Sequence, residues 1–242
     1  MPKTAGIILI GNEILSGKIA DANAAYLCRE LRALGVDVRR ITVIPDEVQL
    51  IAEMVAEFSR DFDVVFTSGG VGPTHDDVTI EGVARAMAVP VIRHPTLVEL
   101  LERYYRGKVT EAALRMAEIP EGAELVGGET VRFPTVLMHN VYVLPGVPEI
   151  FRAKFEALRE RFRDAPIHLR NVFVTIGEGT LADFLNRLLG DFPQLQLGSY
   201  PEFSNPEYKV KVTLESRDRG YVEQALADFL ARLPADVVVR VT

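Results

Sequence analysis

Asp63-Val64-Val65-Phe66-Thr67-Ser68-Gly69-Gly70-Val71-Gly72-Pro73-Thr74-His75-Asp76-Asp77-Val78-Thr79 is the stretch that decides the fold. Residues 63–67 are an apolar run of strand length, and a helical pattern starts at about Thr79 and continues to Met87. Between them lie Gly69, Gly70 and Gly72, three glycines in four positions. A buried strand that enters a helix through such a turn is the unit of an open α/β sheet, and ligands bind these sheets beyond the carboxyl ends of the strands. The turn presents N–H groups without side chains in the way, next to a helix N-terminus, which suits a phosphate or diphosphate. No Gly-Lys-Ser/Thr follows, so this is not a P-loop, and the G-x-G-x-x-G spacing is also absent.

The same alternation extends in both directions. Residues 6–10 form a continuous apolar run, as in a strand covered on both faces. Residues 21–34 follow at helical spacing through Ala24, Leu27, Leu31 and Leu34, and stop at Gly35. Residues 36–44 read as a strand, and 46–58 as a helix with Val48, Ile51, Val55 and Phe58 inward. Strands alternating with helices predict an α/β fold with a doubly wound, mostly parallel sheet. Residues 94–134 carry helices near 96–105 and 110–117, then loop signals at Pro120-Glu121-Gly122 and Gly127-Gly128. Residues 136–144 return to strand, broken near His139-Asn140. Pro145-Gly146-Val147-Pro148 opens a helix with Phe151, Phe155, Leu158 and Phe162 on one face. Its Arg152, Lys154, Arg159, Arg161 and Arg163 alternate with Glu156 and Glu160 and read as a solvated face.

Asp164-Ala165-Pro166 marks a boundary, giving domains 1–165 and 166–242. Beyond it, strands at 170–176, 195–200, 208–216 and 237–241 and helices at 180–189 and 221–233 follow the order βαββαβ. That is the split βαβ order of a small α+β, ferredoxin-like domain.

With 242 residues, 48% hydrophobic and 25% charged, the chain buries a core without needing disulfides or a structural metal. Its 27 basic against 34 acidic residues argue against a protein built to neutralise nucleic-acid phosphates or coat an anionic membrane. Cys28 stands alone, which excludes an intrachain disulfide and a Cys-rich zinc site, and its helical stripe makes it a small buried hydrophobe. The run Gly6-Ile7-Ile8-Leu9-Ile10-Gly11 falls far below the roughly 20 residues of a membrane span. It starts too near Met1 for a signal peptide, so a cytoplasmic location is expected.

Carboxylates oppose bound phosphate, so Asp76 and Asp77 beside a phosphate turn point to a divalent cation between them. Mg²⁺ is held in this way by one or two carboxylates plus phosphate oxygens and water. Either acid also suits the N-cap of the helix that follows. Ser68, Pro73, Thr74 and His75 complete the turn. Gly11-Asn12-Glu13-Ile14-Leu15-Ser16-Gly17 ends the first strand at the same edge, with Glu13 placed to hold metal or activate water. Asp21 opens a helix. Asp46 ends the second strand at that edge, although Asp46 with Gln49 also resembles a capping box. Pro145-Gly146 is a third strand-to-helix turn lining the crevice, with Glu149 in the first helical turn. The four histidines form no zinc-binding pair, and no G-x-S-x-G elbow is present.

Gly11–Gly17, Asp21-Ala22-Asn23, Pro45-Asp46, Gly69–Thr79 and Leu144-Pro145-Gly146-Val147-Pro148-Glu149 together resemble the molybdopterin-binding-like domain family of MoaB/Mog type. The resemblance is strongest to the forms found at the N-terminus of competence/damage-inducible proteins of the CinA type and in FAD synthases. Phe133-Pro134 followed by Asn140-Val141-Tyr142 is more like the FAD-synthase branch. The resemblance implies a divalent-metal-dependent (Mg or Co) pyrophosphatase acting on a nucleotide diphosphate linkage, ADP-ribose or FAD. Asp77, Asp76 and Glu13 would be its catalytic and metal-holding groups. The alternatives are a molybdopterin-binding protein of molybdenum cofactor biosynthesis or a non-catalytic nucleotide- or pterin-binding module. The family usually has Gly-Asp-Glu where this chain has Gly11-Asn12-Glu13, which weakens a metal role at Asn12. Nicotinamide-nucleotide deamidation and FAD synthesis are not expected of these residues. The expected partners are a small-molecule nucleotide or pterin and further copies of the chain, with neither nucleic acid nor membrane.

Overall fold

The computed structural model describes residues 2–234 and 236–242. The chain divides into two compact units, one ending at Asp164 and the other spanning Ala165–Thr242. In the first, β1 (Thr4–Ile10) leads through a single helical turn, α1 (Asn12–Leu15), to α2 (Asn23–Ala33) and β2 (Asp37–Ile44). Then come α3 (Val48–Asp61), β3 (Val64–Ser68) and α4 (Thr79–Ala86). A small hairpin sheet of β4 (Val91–Arg93) and β5 (Glu118–Pro120) brackets α5 (Pro95–Tyr104) and α6 (Glu111–Leu114). The unit closes with β6 (Glu124–Val126), β7 (Thr135–Met138), β8 (Val141–Leu144) and α7 (Pro148–Leu158).

The main sheet has the order β2-β1-β3-β8-β7-β6. The first four strands are parallel, and β7 and β6 add antiparallel edges. β1 explains why its sequence is apolar throughout. Ile7 and Leu9 pack with α2 and α7 through Leu27, Leu31, Phe151 and Phe155. Ile8 and Ile10 pack with α3 and α4 through Ile51, Val55 and Val83 on the opposite face. Alternate side chains of a strand point to opposite faces, so a strand buried on both sides has no polar position to spare. The chain leaves β1 toward β2 on one side and returns at β3 on the other, which places the topological switch point between β1 and β3.

The run 136–144 is a hairpin rather than one interrupted strand. It turns at His139, in the left-handed region at φ 55°, and Asn140. Asn140 Nδ2 fixes the turn by donating to Ser59 O (3.0 Å) and Phe62 O (2.8 Å). The helix expected at 110–117 is the single turn α6 followed by a 3₁₀ turn at Arg115–Ala117. The three-residue strands β4, β5 and β6 escaped the sequence pattern because so short a segment shows no periodicity. Cys28 is half-buried against the α2 core, and burial pushes its thiol pKa up.

The second unit runs β9 (His168–Val174), α8 (Glu178–Asp191), β10 (Gln196–Pro201), β11 (Val210–Ser216), α9 (Arg219–Arg232) and β12 (Val238–Val241). Its antiparallel sheet has the order β10-β11-β9-β12. Leu181 and Leu188 of α8 and Val222 and Phe229 of α9 pack with Val172, Val212 and Leu214 in a core of their own.

α4 approaches α3 so closely that a Cβ on Gly82 would lie 2.3 Å from Ile51 Cγ2. In an open helix Gly→Ala stabilises by roughly 1 kcal/mol. Here Gly82→Ala is expected to destabilise the protein by about 1–3 kcal/mol through overpacking, read as a lower urea midpoint with unchanged m-value.

Candidate functional site

The carboxyl ends of β1, β3 and β8 meet at the glycine turn. Gly69 has φ +109°, and a Cβ there would lie 2.1 Å from the carbonyl oxygen of Ile10. Gly70 has φ +63°, and a Cβ there would lie 2.4 Å from Thr79 Oγ1. Both positions therefore require glycine, for close approach as well as for backbone angle. The Gly69 N–H donates to Leu144 O (3.1 Å), which removes it from the set of amides open to a ligand. The N–H groups of Gly70, Val71 and Gly72 have no acceptor among the described residues. Thr79 is buried and clamps the turn to the start of α4, its N–H donating to Gly70 O (3.0 Å) and its hydroxyl to Gly69 O (2.9 Å).

Asn23, the first residue of α2, joins the three elements around this turn. It is buried, and its Nδ2 donates to Ser68 Oγ (3.0 Å) and to Gly146 O (2.8 Å). Asp21 accepts the N–H of Asn23 on Oδ1 (3.0 Å) and that of Ala24 on Oδ2 (3.0 Å), so it serves the helix start. Asn23 Oδ1 is buried with no hydrogen-bond partner, as is Thr67 Oγ1.

The turn opens into a cavity of about 1040 Å³. Ser68, Gly69, Gly70, Gly72, Pro145 and Gly146 form part of its wall, and Glu13 and Asp77 bring carboxylates to it. Leu97, Leu101, Tyr104, Tyr105, Met116, Phe133 and Lys154 line it as well. The mixture of an apolar wall with a few polar groups is that of a small-molecule site.

Asp77 does not cap α4, whose cap position is Val78. Its Oδ2 accepts from Thr74 N (2.8 Å) and Thr74 Oγ1 (2.5 Å), closing the loop on itself. Arg115 clasps the same loop, Nη1 to Thr74 O (2.6 Å) and Nη2 to Asp77 O (3.3 Å). Asp76 turns away from its neighbour into a smaller depression shared with Asn12, Glu13 and Asp46. The polar groups of its own loop, Thr74 foremost, hold the Asp76 carboxyl below the usual range, with a smaller contribution from His75. The two adjacent acids thus face different spaces, and Glu13 borders both. Gly11, Pro73, Thr74 and His75 line neither, and the His75 side chain is 98% exposed.

Asp46 forms no capping box. Its Oδ2 accepts from the backbone N–H of Asn12 (2.8 Å) and ties the β2 exit to α1, while the cap position of α3 is Glu47, which makes no side-chain cap bond. Among the described residues no three of His, Cys, Asp or Glu converge as metal ligands. Asp77 and Glu13 line the main cavity together with Asp21, Glu81 and Glu118, so an ion beside the glycine turn would be completed by ligand phosphate and water rather than caged by protein.

Lys154 overturns the reading of α7 as a plain solvated face. It lies three residues after Phe151 and four before Leu158, so it shares their buried side of the helix. Its Nζ donates to Phe133 O (2.8 Å) and Pro134 O (2.6 Å), and burial pushes its pKa down to about 8. Helical spacing could have singled it out, whereas the charge run around it concealed it. Asn23 stood within a motif but showed no sign of reaching two other loops. Arg115 gave no signal.

No helix among the described residues is long and apolar enough to cross a membrane. The family model described as "Probable molybdopterin binding domain" matches residues 6–164. The model described as "FAD synthase, middle domain" matches residues 166–242. A protein of Archaeoglobus fulgidus is 39% identical over 92% of this chain and 95% of its own length. A "Probable FAD synthase" of Caenorhabditis elegans is 32% identical over 98% of this chain, which spans about half (51%) of that relative. The crystal structure of "the protein CinA with unknown function from Thermoplasma acidophilum" is 30% identical, with a TM-score of 0.61 over 67% of this chain and all (100%) of that one.

Lys154 makes stability depend on pH. With its folded pKa near 8, the unfolded chain binds the extra proton between pH 8 and the ordinary lysine value, so stability rises with pH across that window. The expected gain from pH 7.5 to 9.5 is about 1–3 kcal/mol in urea unfolding, and Lys154→Met is expected to lose that pH-dependent component.

Proposed function

Because this chain belongs to the probable molybdopterin binding domain family, we propose that its first unit binds a phosphate-bearing nucleotide and hydrolyses a nucleotide diphosphate linkage, with ADP-ribose or FAD as substrate. One observation carries the reading. Three free amides, at Gly70, Val71 and Gly72, stand at a glycine turn that opens on a ligand-sized cavity with Asp77 beside it. Those amides and the positive end of α4 bind phosphate oxygens. Arg115, which also lines the cavity, adds positive charge there.

Asp77, whose Oδ2 is engaged by Thr74, and Glu13 would hold a divalent ion, Mg or Co, beside the bound phosphate. Such an ion, when bound, polarises a phosphoryl oxygen and acidifies a coordinated water. Glu13 takes the proton of the attacking water, whose oxygen bonds to phosphorus as the bridging P–O bond breaks. Asp76 borders the neighbouring depression and helps shape the local field.

Binding without hydrolysis, of a nucleotide or of a pterin in molybdenum cofactor chemistry, is the second reading. The scattered acids favour it, since no three ligands converge among the described residues, and so does Asn12, whose side chain carries no charge. Self-association also belongs to the proposal. The second unit leaves Tyr200 on edge strand β10 and Phe203 beyond it exposed. Light scattering at micromolar concentration is expected to give more than the monomer mass.

Asp77→Asn separates the readings. Asparagine still accepts from Thr74, so folding is expected to stay within about 1 kcal/mol of wild type. Hydrolysis of ADP-ribose and FAD with Mg²⁺ or Co²⁺, followed by chromatography of the products, is expected to fall at least tenfold. Full turnover by the variant removes Asp77 from the chemistry, and a wild type that binds both compounds but cleaves neither establishes the second reading.

A further inference from the structure

We propose that edge strand β10 of the second unit pairs antiparallel, across a two-fold axis at Gly198, with β10 of a second copy of the chain. The inference rests on the reading that the protein self-associates, and it assigns the surface that does so. An edge strand presents unpaired N–H and C=O groups to any other strand, and proteins block such edges with charged side chains, bulges or brevity. Every other edge strand among the described residues is blocked in this way. β2 carries Asp37, Arg39 and Arg40, and β6 is three residues long with Glu124. β12 carries Arg240 at an irregular register. β4 and β5 of the small hairpin sheet carry Arg93 and Glu118. β10 is Gln196-Leu197-Gly198-Ser199-Tyr200-Pro201, six residues without a charge, and it pairs with β11 in unbroken register.

The ladder fixes which groups of β10 are free. Asn171 of β9 exchanges both N–H···O bonds with Thr242, on the β12 side, so its neighbours Arg170 and Val172 bond to β11. Bonds alternate along each strand, which turns Lys211, Thr213 and Glu215 of β11 toward Tyr200, Gly198 and Gln196 of β10. The Glu202 N–H, in the same phase, donates to Lys209 O (2.8 Å). Leu197, Ser199 and Pro201 therefore direct their backbone groups outward, where no strand among the described residues lies.

With the axis at Gly198, Leu197 of each copy faces Ser199 of the other. Each pair exchanges two N–H···O bonds, and every outward amide of both strands is used. With the axis one residue along, at Ser199, Pro201 would face Leu197 of the second copy. Its δ-carbon would then stand against the Leu197 carbonyl, where an N–H is needed. Pro201 thus sets the register and ends the ladder. The side chains agree. The two Gly198 residues meet as a non-hydrogen-bonded pair, with Cα atoms about 4.5 Å apart. Tyr200, 53% exposed, lies with its Cε2 2.7 Å from where a Gly198 Cβ would be, and it comes to face Gln196 of the second copy. Like charges directly opposite one another destabilise an antiparallel pair, and the uncharged strand brings none together.

Sedimentation equilibrium of the full chain across micromolar concentrations tests the pairing. Wild type is expected to form a dimer, and amide exchange at Leu197 and Ser199 is expected to slow as the dimer fills, far more than at Gly198. Ser199→Pro removes an outward N–H and no backbone bond to β11. It is expected to raise the dissociation constant at least tenfold and to keep the native circular dichroism spectrum. Two double variants test the register through side chains alone. Gln196→Lys with Tyr200→Lys sets like charges opposite each other, and Gln196→Glu with Tyr200→Lys sets unlike ones. The second is expected to associate at least tenfold more tightly than the first. Equal association of the two overturns the pairing, as does a dimer that Ser199→Pro leaves intact, and either result leaves self-association standing on another surface. A wild type that stays monomeric refutes the self-association reading and the interface together, and leaves the edge to a different chain.

Discussion

The turn after β3 lies against the carbonyl of Ile10, and no side chain fits between them. That close approach at the switch point brings the exits of β1, β3 and β8 to one place, and every other feature of the site depends on it. Thr79 and Asn23 maintain it from opposite sides. Thr79 binds the carbonyls of Gly69 and Gly70 from the start of α4. Asn23 reaches Ser68 and Gly146 from the start of α2. Both side chains are buried, and the Thr79 hydroxyl and the Asn23 Nδ2 find their acceptors on these loops, which fixes the loop geometry, while Asn23 Oδ1 stays without a partner.

The frame around the turn is rigid for a simple reason. β1 and β3 are buried on both faces, and α3 and α4 touch at Gly82 without room for a methyl group. Rigid elements hold the turn, while its own amides remain free. Gly70, Val71 and Gly72 keep amide donors that no protein acceptor takes, at the mouth of a cavity. Lys154 repeats the pattern, a half-buried ammonium satisfied by two carbonyls and opposed by no acid. Local costs of this kind concentrate at sites that meet ligands, because a ligand removes them.

The acids show how adjacency in sequence misleads. Asp76 and Asp77 look like a pair built to share one cation. In the folded loop, Thr74 holds Asp77 against its own turn beside the main cavity, while Asp76 faces the depression that Asp46 and Asn12 line. Consecutive residues in a tight loop project in different directions, so two neighbours rarely serve one centre. Glu13, sixty-odd residues away, borders both spaces.

The amino-acid sequence by itself determined the parallel order of the first unit, the glycine turn and the βαββαβ order of the second. These are matters of local periodicity and backbone angle: a two-sided apolar strand, a 3.6-residue stripe and a position closed to side chains each leave a local mark. Only the tertiary structure decided which polar groups meet. Asp46 resembled the cap of its own helix and instead holds the backbone of Asn12, thirty-four positions away. Lys154 resembled a surface charge and instead enters the cavity, because the segment at Phe133 and Pro134 supplies two carbonyls to its ammonium. Periodicity reports which side of an element is buried, but the partner of a buried polar group comes from a distant segment, and that pairing exists only once the chain has closed on itself.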